Sequence, residues 1–178
     1  MFKPAAASSL RGSHSFFEPG ILPEDRTIEL QNADNSSSCE RKGSFPLFGS
    51  ANFEQPWTML PELDMRVLDI FNDGTVKIVH APGHLPGHIN LLVKTDSGAQ
   101  VYLAGDACHD RRIMRKELEI GEWLDTAGQI CCIHADRKQA EETIERIRQL
   151  ENSGVEVIFA HDIEWEENME NRARFWGS

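Results

Sequence analysis

The chain is poor in histidine where it begins and poor in tyrosine throughout. Of its seven histidines only His14 precedes His80, and Tyr102 is its sole tyrosine. Basic residues are also few: 18 Lys and Arg against 29 Asp and Glu give a formal net charge of −11. No basic patch offsets phosphate charge, which excludes nucleic acid and an anionic membrane as partners. The four cysteines, Cys39, Cys108, Cys131 and Cys132, show no C-x-x-C spacing, so no disulfide framework is expected. Adjacent Cys131 and Cys132 read as one buried and one half-exposed thiol. A reducing compartment, the cytoplasm, fits this usage. No apolar run approaches the length of a membrane span, and residues 4–10 are too short and too polar-flanked for a signal peptide. Internal repeats are absent. At 178 residues, 40% hydrophobic and 26% charged, the composition is that of one globular domain.

What the chain does have is concentrated between His80 and Asp110. Apolar residues 89–95 and 99–105 flank Asp96-Ser97-Gly98, a hairpin turn. Counting outward from Ser97 sets position 88 opposite position 106. That register carries the loop Pro82-Gly83-His84-Leu85-Pro86-Gly87-His88 to the side of Asp106. Further on, Gly154 precedes the β-branched residues 155–160, which read as a buried strand ending in His161-Asp162. Imidazoles and a carboxylate meeting at strand ends are suitable ligands for zinc or a similar metal. On spacing alone, the same residues serve equally well as hydrogen-bonded caps of strand ends.

Pro82-Gly83-His84 with Pro86-Gly87-His88, Ala104-Gly105-Asp106 and Ala160-His161-Asp162 resemble the last three metal motifs of the metallo-β-lactamase superfamily. Within it they look most like the N-acyl homoserine lactonase branch, and they are similar to lactonase-like sequences of fungi. The resemblance implies that His84 ligates one zinc, that Asp106 bridges two, and that His161 ligates the second. Such enzymes carry a His-x-His-x-Asp-His motif upstream of the PGH loop, and these 178 residues contain none. The fold class implied is therefore α/β, the C-terminal half of a metallo-β-lactamase αβ/βα sandwich.

Two segments are expected: residues 1–63, poorly ordered, and residues 64–178, the C-terminal part of the lactamase-like domain. Residues 31–45 are polar and without period, hence loop or disorder. Residues 65–71 and 75–80 read as strands joined by Asn72-Asp73-Gly74. Residues 109–122 are charged and helical in part, leading to a loop at residues 125–128. Asp136 begins the clearest helix, with Gln139 three residues on and Ala140, Ile144, Ile147 and Leu150 as its apolar stripe. A Glu142–Arg146 pair supports it and Gly154 stops it.

The remaining polar residues near the motifs take blander readings. His88 hydrogen-bonds within its loop or to the outer face of a ligand, and is not a direct ligand. His80 packs at a strand end, and His134 is structural near the helix cap. Cys108 and His109 either line the pocket or start a solvated helix. Asp162 orients His161, ligates a metal weakly or caps the next turn. The related lactonases use a tyrosine just past the bridging aspartate. Tyr102 stands before Asp106, inside a strand, and does not take that role; His109 is nearer the place.

Together these readings describe a zinc-dependent hydrolase of a small lactone or ester, incomplete in this chain and holding at most one weakly bound ion. The alternatives are a non-catalytic remnant acting through a partner and a thioester hydrolase resembling glyoxalase II.

Overall fold

The computed structural model describes residues 56–171 together with Ala33. Its centre is a six-stranded sheet in the order β1-β2-β3-β4-β5-β8. The strands are β1 (Thr58–Leu60), β2 (Met65–Asp69), β3 (Val76–His80), β4 (Ile89–Lys94), β5 (Gln100–Gly105) and β8 (Glu156–Phe159). The first five pair antiparallel, and β8 joins β5 in parallel. Between β5 and β8 lie α1 (Arg111–Met114), a separate hairpin of β6 (Glu122–Leu124) and β7 (Ile130–Cys132), and α2 (Arg137–Asn152). A short α3 (Ile163–Glu167) follows β8. The class is mixed α/β, as expected. Among the described residues no helix is long and apolar enough to cross a membrane.

The central hairpin has the register that its turn residues require. Leu91 pairs with Leu103 and Lys94 with Gln100, which continues to position 88 against position 106. Alternation along β5 buries Tyr102 and Ala104 on one face and leaves Leu103 on the other. The first face receives α2. Asp136 caps that helix, accepting from the Gln139 N–H at 3.0 Å, and Ala140, Ile144, Ile147 and Leu150 are buried with Thr143. They join Val67, Val79, Leu92, Tyr102, Val157 and Phe159 in one core. The second face is apolar as well. Leu91 and Val93 lie beside Leu103 there, and Leu103 keeps 41% of its surface exposed. A sheet apolar on both faces is suited to a layered sandwich.

Residues on the N-terminal side of the expected 63/64 boundary take part in the sheet and core. Thr58–Leu60 already pairs with β2, and Leu63 is in the core. The expectation for residues 31–45 falls outside the described residues except at Ala33. The helical part of residues 109–122 is the four-residue α1, and the loop at 125–128 is the turn of the β6–β7 hairpin. Arg146 reaches Asp64 at 3.4 Å instead of Glu142, and the i,i+4 pair on α2 is Arg137–Glu141. Cys131 and Cys132 are both half-buried free thiols, so neither is the fully buried partner expected.

The PGH loop is clamped onto the start of α2. Ala135 and Asp136 donate their N–H groups to the carbonyls of His84 and Gly83, each at 2.9 Å. The Thr143 hydroxyl donates to the Pro82 carbonyl at 2.7 Å. Gly83 has φ +127°, and a Cβ there would lie 2.3 Å from the Ala140 backbone nitrogen. Glycine alone permits this approach. Gly83→Ala is therefore expected to destabilise the fold by about 2–4 kcal/mol, from overpacking and left-handed strain together. Urea unfolding checks this: an unchanged midpoint would mean that the loop and helix are not in contact.

Candidate metal centre

Three elements deliver the chemistry to one edge of the sheet. The PGH loop, between β3 and β4, carries His84. The turn after β5 carries Asp106 and, three residues on, His109. The end of β8 carries His161. A register shift at Leu103/Gly105 and the positive φ of Gly105, +51°, turn the chain out of the sheet just before Asp106. Asp106 then faces all three imidazoles. Its Oδ2 is 4.0 Å from His84 Nε2, and its Oδ1 is 3.7 Å from His109 Nε2 and 3.1 Å from His161 Nε2. The three residues singled out by motif, His84, Asp106 and His161, are thus brought together.

Two further histidines complete the cluster. His134, at the entry to α2, lies with its ring centroid 5.4 Å from both His84 and His109. His109 sits 5.1 Å from His84 and stacks on His161 at 5.3 Å with a 14° interplanar angle. Two sets of donor atoms come within 4.8 Å of one another: His84 with His109 and His134, and Asp106 with His109 and His161. Exposure grades across the cluster, from 3% for His134 to 63% for the His161 side chain. One end is enclosed and the other is open to solvent. Motif reading gave His134 a structural role; no spacing in the sequence links it to His84, and only the loop–helix contact reveals the pairing.

The other readings resolve as follows. The His88 side chain bonds out of its loop, to the Ala104 backbone and Asn90, and its ring centroid lies 5.5 Å from that of His84. In the amide orientation that best satisfies its neighbours, Asn90 donates to His88 Nε2 at 3.1 Å and accepts from the Tyr102 hydroxyl at 3.0 Å. Tyr102 is fully buried, and burial raises its phenol well above the ordinary value, so it is a core residue. His80 lies edge-on to Trp57 with ring centroids 6.1 Å apart. Cys108 is fully buried and its thiol donates to the Asp110 carbonyl at 3.2 Å, so it does not line the open pocket. Asp162 caps α3, accepting from the Trp165 N–H at 3.1 Å. It also accepts from Arg111 Nε at 2.8 and 2.9 Å, and Arg111 reaches on to Glu151 and the Val157 carbonyl.

The donor set suits a zinc-like cation. Imidazole with carboxylate fits zinc and its transition-metal neighbours, whereas calcium and magnesium prefer oxygen alone. The Nδ1 atoms of His109 and His134 are buried and have no hydrogen-bond partner among the described residues. A buried polar atom without a partner calls for an explanation, and an ion is one. Burial also holds these imidazoles neutral, the form that ligates. Desolvation lowers His109, and desolvation with the neighbouring His109, His84 and His88 brings His134 down to about 4.

The curated sequences similar to this chain include N-acyl homoserine lactonases, in agreement with the motifs. No protein-family model matches the chain. An N-acyl homoserine lactonase of a Bacillus species is 26% identical over 111 residues, 61% of this chain and 40% of that protein. A Penicillium brevicompactum protein named cytochrome P450 monooxygenase mpaDE′ is 30% identical over 110 residues, which are 13% of its length. A solved N-acyl homoserine lactone hydrolase, with N-hexanoyl-L-homoserine at its catalytic metal center, is 24% identical. It covers 57% of this chain and 35% of its own, with a TM-score of 0.44. The chain resembles N-acyl homoserine lactonases of the metallo-β-lactamase superfamily, and its match spans about 40% of the length of the Bacillus lactonase.

Without metal, the cluster makes stability depend on pH. His134 binds a proton near its ordinary pKa of 6.5 when unfolded and only near 4 when folded. The unfolded chain therefore binds more protons below 6.5, so stability is full above that pH and falls as pH drops toward 4. Thermal unfolding of chelator-treated protein should show a falling Tm through this window. A flat profile would mean that the His134 imidazole is not held neutral.

Proposed function

We propose that the chain carries the carboxylate-side part of a zinc-dependent hydrolase site, with a lactone or related small ester as substrate. His84, Asp106 and His161 are its metal-facing residues, and Asp106 is the carboxylate able to serve two ions. The observation that carries this reading is the arrival of three strand-end residues around a single carboxylate. The names of the lactonase relatives support the substrate class. Zinc in such a site polarises the scissile carbonyl and makes water a nucleophile at neutral pH.

The chain's own residues do the rest. Asp106 faces His84, His109 and His161, and the buried Arg111–Asp162 pair braces the turn that presents His161. The exposed end admits a small molecule. The reading includes a cytoplasmic protein and no nucleic-acid or membrane partner.

One observation favours a second reading. If Asp106 bridges, His84 and Asp106 serve one ion and Asp106 and His161 the other, so the three motif residues alone give each ion two protein ligands. Catalytic zinc ordinarily has three and an open position. A chain limited to this ligand set is a weak catalyst, or a remnant that acts through a partner.

Metal analysis after dialysis, with turnover of N-hexanoyl homoserine lactone and of a thioester measured in parallel, tests the proposal. At most one zinc ion per chain and little or no lactone hydrolysis are expected. Two firmly held ions with full lactone turnover would overturn the incomplete-site reading. Thioester turnover without lactone turnover would transfer the assignment to a glyoxalase II-like hydrolase.

A further inference from the structure

We infer that His84, His109 and His134 form a three-imidazole seat for a single zinc-like cation, on the enclosed side of Asp106. The inference rests on the metal-centre reading above and supplies what that reading lacks. His109 and His134 give the ion at His84 a full set of protein ligands without any upstream histidine motif.

The geometry supports the seat in three ways. Each imidazole comes from a different, separately anchored segment. His84 and His134 are tied together because the His84 carbonyl accepts from Ala135 N–H at 2.9 Å, one residue beyond His134. His109 is followed by Asp110, the N-cap of α1. One nitrogen from each ring lies within 4.8 Å of the other two. Tetrahedral zinc with bonds of about 2.0–2.1 Å sets its ligand nitrogens about 3.3 Å apart. Small ring rotations close the difference.

Burial adds a second, independent observation. His134 is 3% exposed, and its Nδ1 is buried without a hydrogen-bond partner among the described residues, as is that of His109. His109 also divides its nitrogens. Nε2 faces Asp106 at 3.7 Å while Nδ1 is the bare atom, so one can serve the carboxylate and the other the cation. A carboxylate behind a ligating histidine fixes the ring and strengthens the ligand. Asp106 stands on the outer side of the seat, within 3.7 Å of His109 Nε2. His161, 63% exposed and stacked on the outer face of His109, belongs with Asp106 and not with the seat. Three imidazoles and an open fourth position are the pattern of a catalytic zinc.

Cobalt(II) binding to the full 178-residue chain tests this, read from the visible absorption of four-coordinate cobalt. The chains compared are the unmodified protein, His134→Gln and His161→Gln. His134→Gln is expected to weaken cobalt binding by more than the about 10–100-fold loss typical of a group that only supports a ligand. His161→Gln is expected to weaken cobalt binding by less than His134→Gln does. Because His134 is buried, side-chain 15N spectra of the unmodified protein with and without zinc give a second readout, in which the His134 imidazole shifts. A larger loss of binding in His161→Gln than in His134→Gln would overturn the seat and leave the hydrolase reading with Asp106 and His161 as ligands. Undiminished binding in His134→Gln would overturn it as well. No cobalt or zinc bound by the unmodified chain would overturn both the seat and the metal-centre reading.

Discussion

The contact between Gly83 and the backbone of Ala140 is the constraint on which the rest of the site depends. A loop between two antiparallel strands ordinarily projects into solvent. Here a missing Cβ lets it lie against the first turn of α2, where its carbonyls take the two N–H groups of Ala135 and Asp136. Backbone amides at a helix entry have no partner within the helix, and the loop supplies one. The same hydrogen bonds bring His84, from one end of the sheet, beside His134, 50 residues later in the chain. Packing at a glycine thus sets the position of two imidazoles that no local sequence pattern relates.

A second constraint fixes the open end. Arg111 has 9% of its side chain exposed and Asp162 has 2%, and the guanidinium grips that carboxylate while reaching Glu151 on α2 and the Val157 carbonyl on β8. A buried ion pair of this kind is weak evidence for stability, because desolvation opposes the attraction. Its value lies in geometry. It joins the turn after Asp106, the last turn of α2 and the end of β8, the segments that hold Asp106, His109 and His161. The cluster is therefore held from below by helix–loop packing and from the side by a charge network. Its outer edge, at His161, remains accessible.

Much of this was legible in the residues. The Asp96-Ser97-Gly98 turn fixed the hairpin register, because a one-residue slip would exchange buried Tyr102 and Ala104 with exposed Leu103. Asp136 with Gln139, followed by Ala140, Ile144, Ile147 and Leu150, marked α2 to within a residue. The β6–β7 hairpin was not legible: three-residue strands with Trp123, Leu124 and Ile130 all exposed carry no burial pattern for a period to reveal. Arg146 was misread because helix spacing predicts Glu142, whereas the positive φ of Asp64 turns that carboxylate toward the helix from another segment. His134 was missed for a similar reason. Its partners come from tertiary contact, and the sequence around it, Cys-Cys-Ile-His-Ala-Asp, announces only a helix cap.

The account's central claim is that the PGH loop, the end of the hairpin and the entry to α2 converge on a cation. Anomalous scattering at the zinc edge, from crystals of the chain grown with zinc, tests it most directly. The account predicts a peak about 2.0–2.2 Å from an imidazole nitrogen of His84, on the side facing His109 and His134. A map with no peak at His84, or with zinc only among surface carboxylates while these imidazoles bind water, would contradict it.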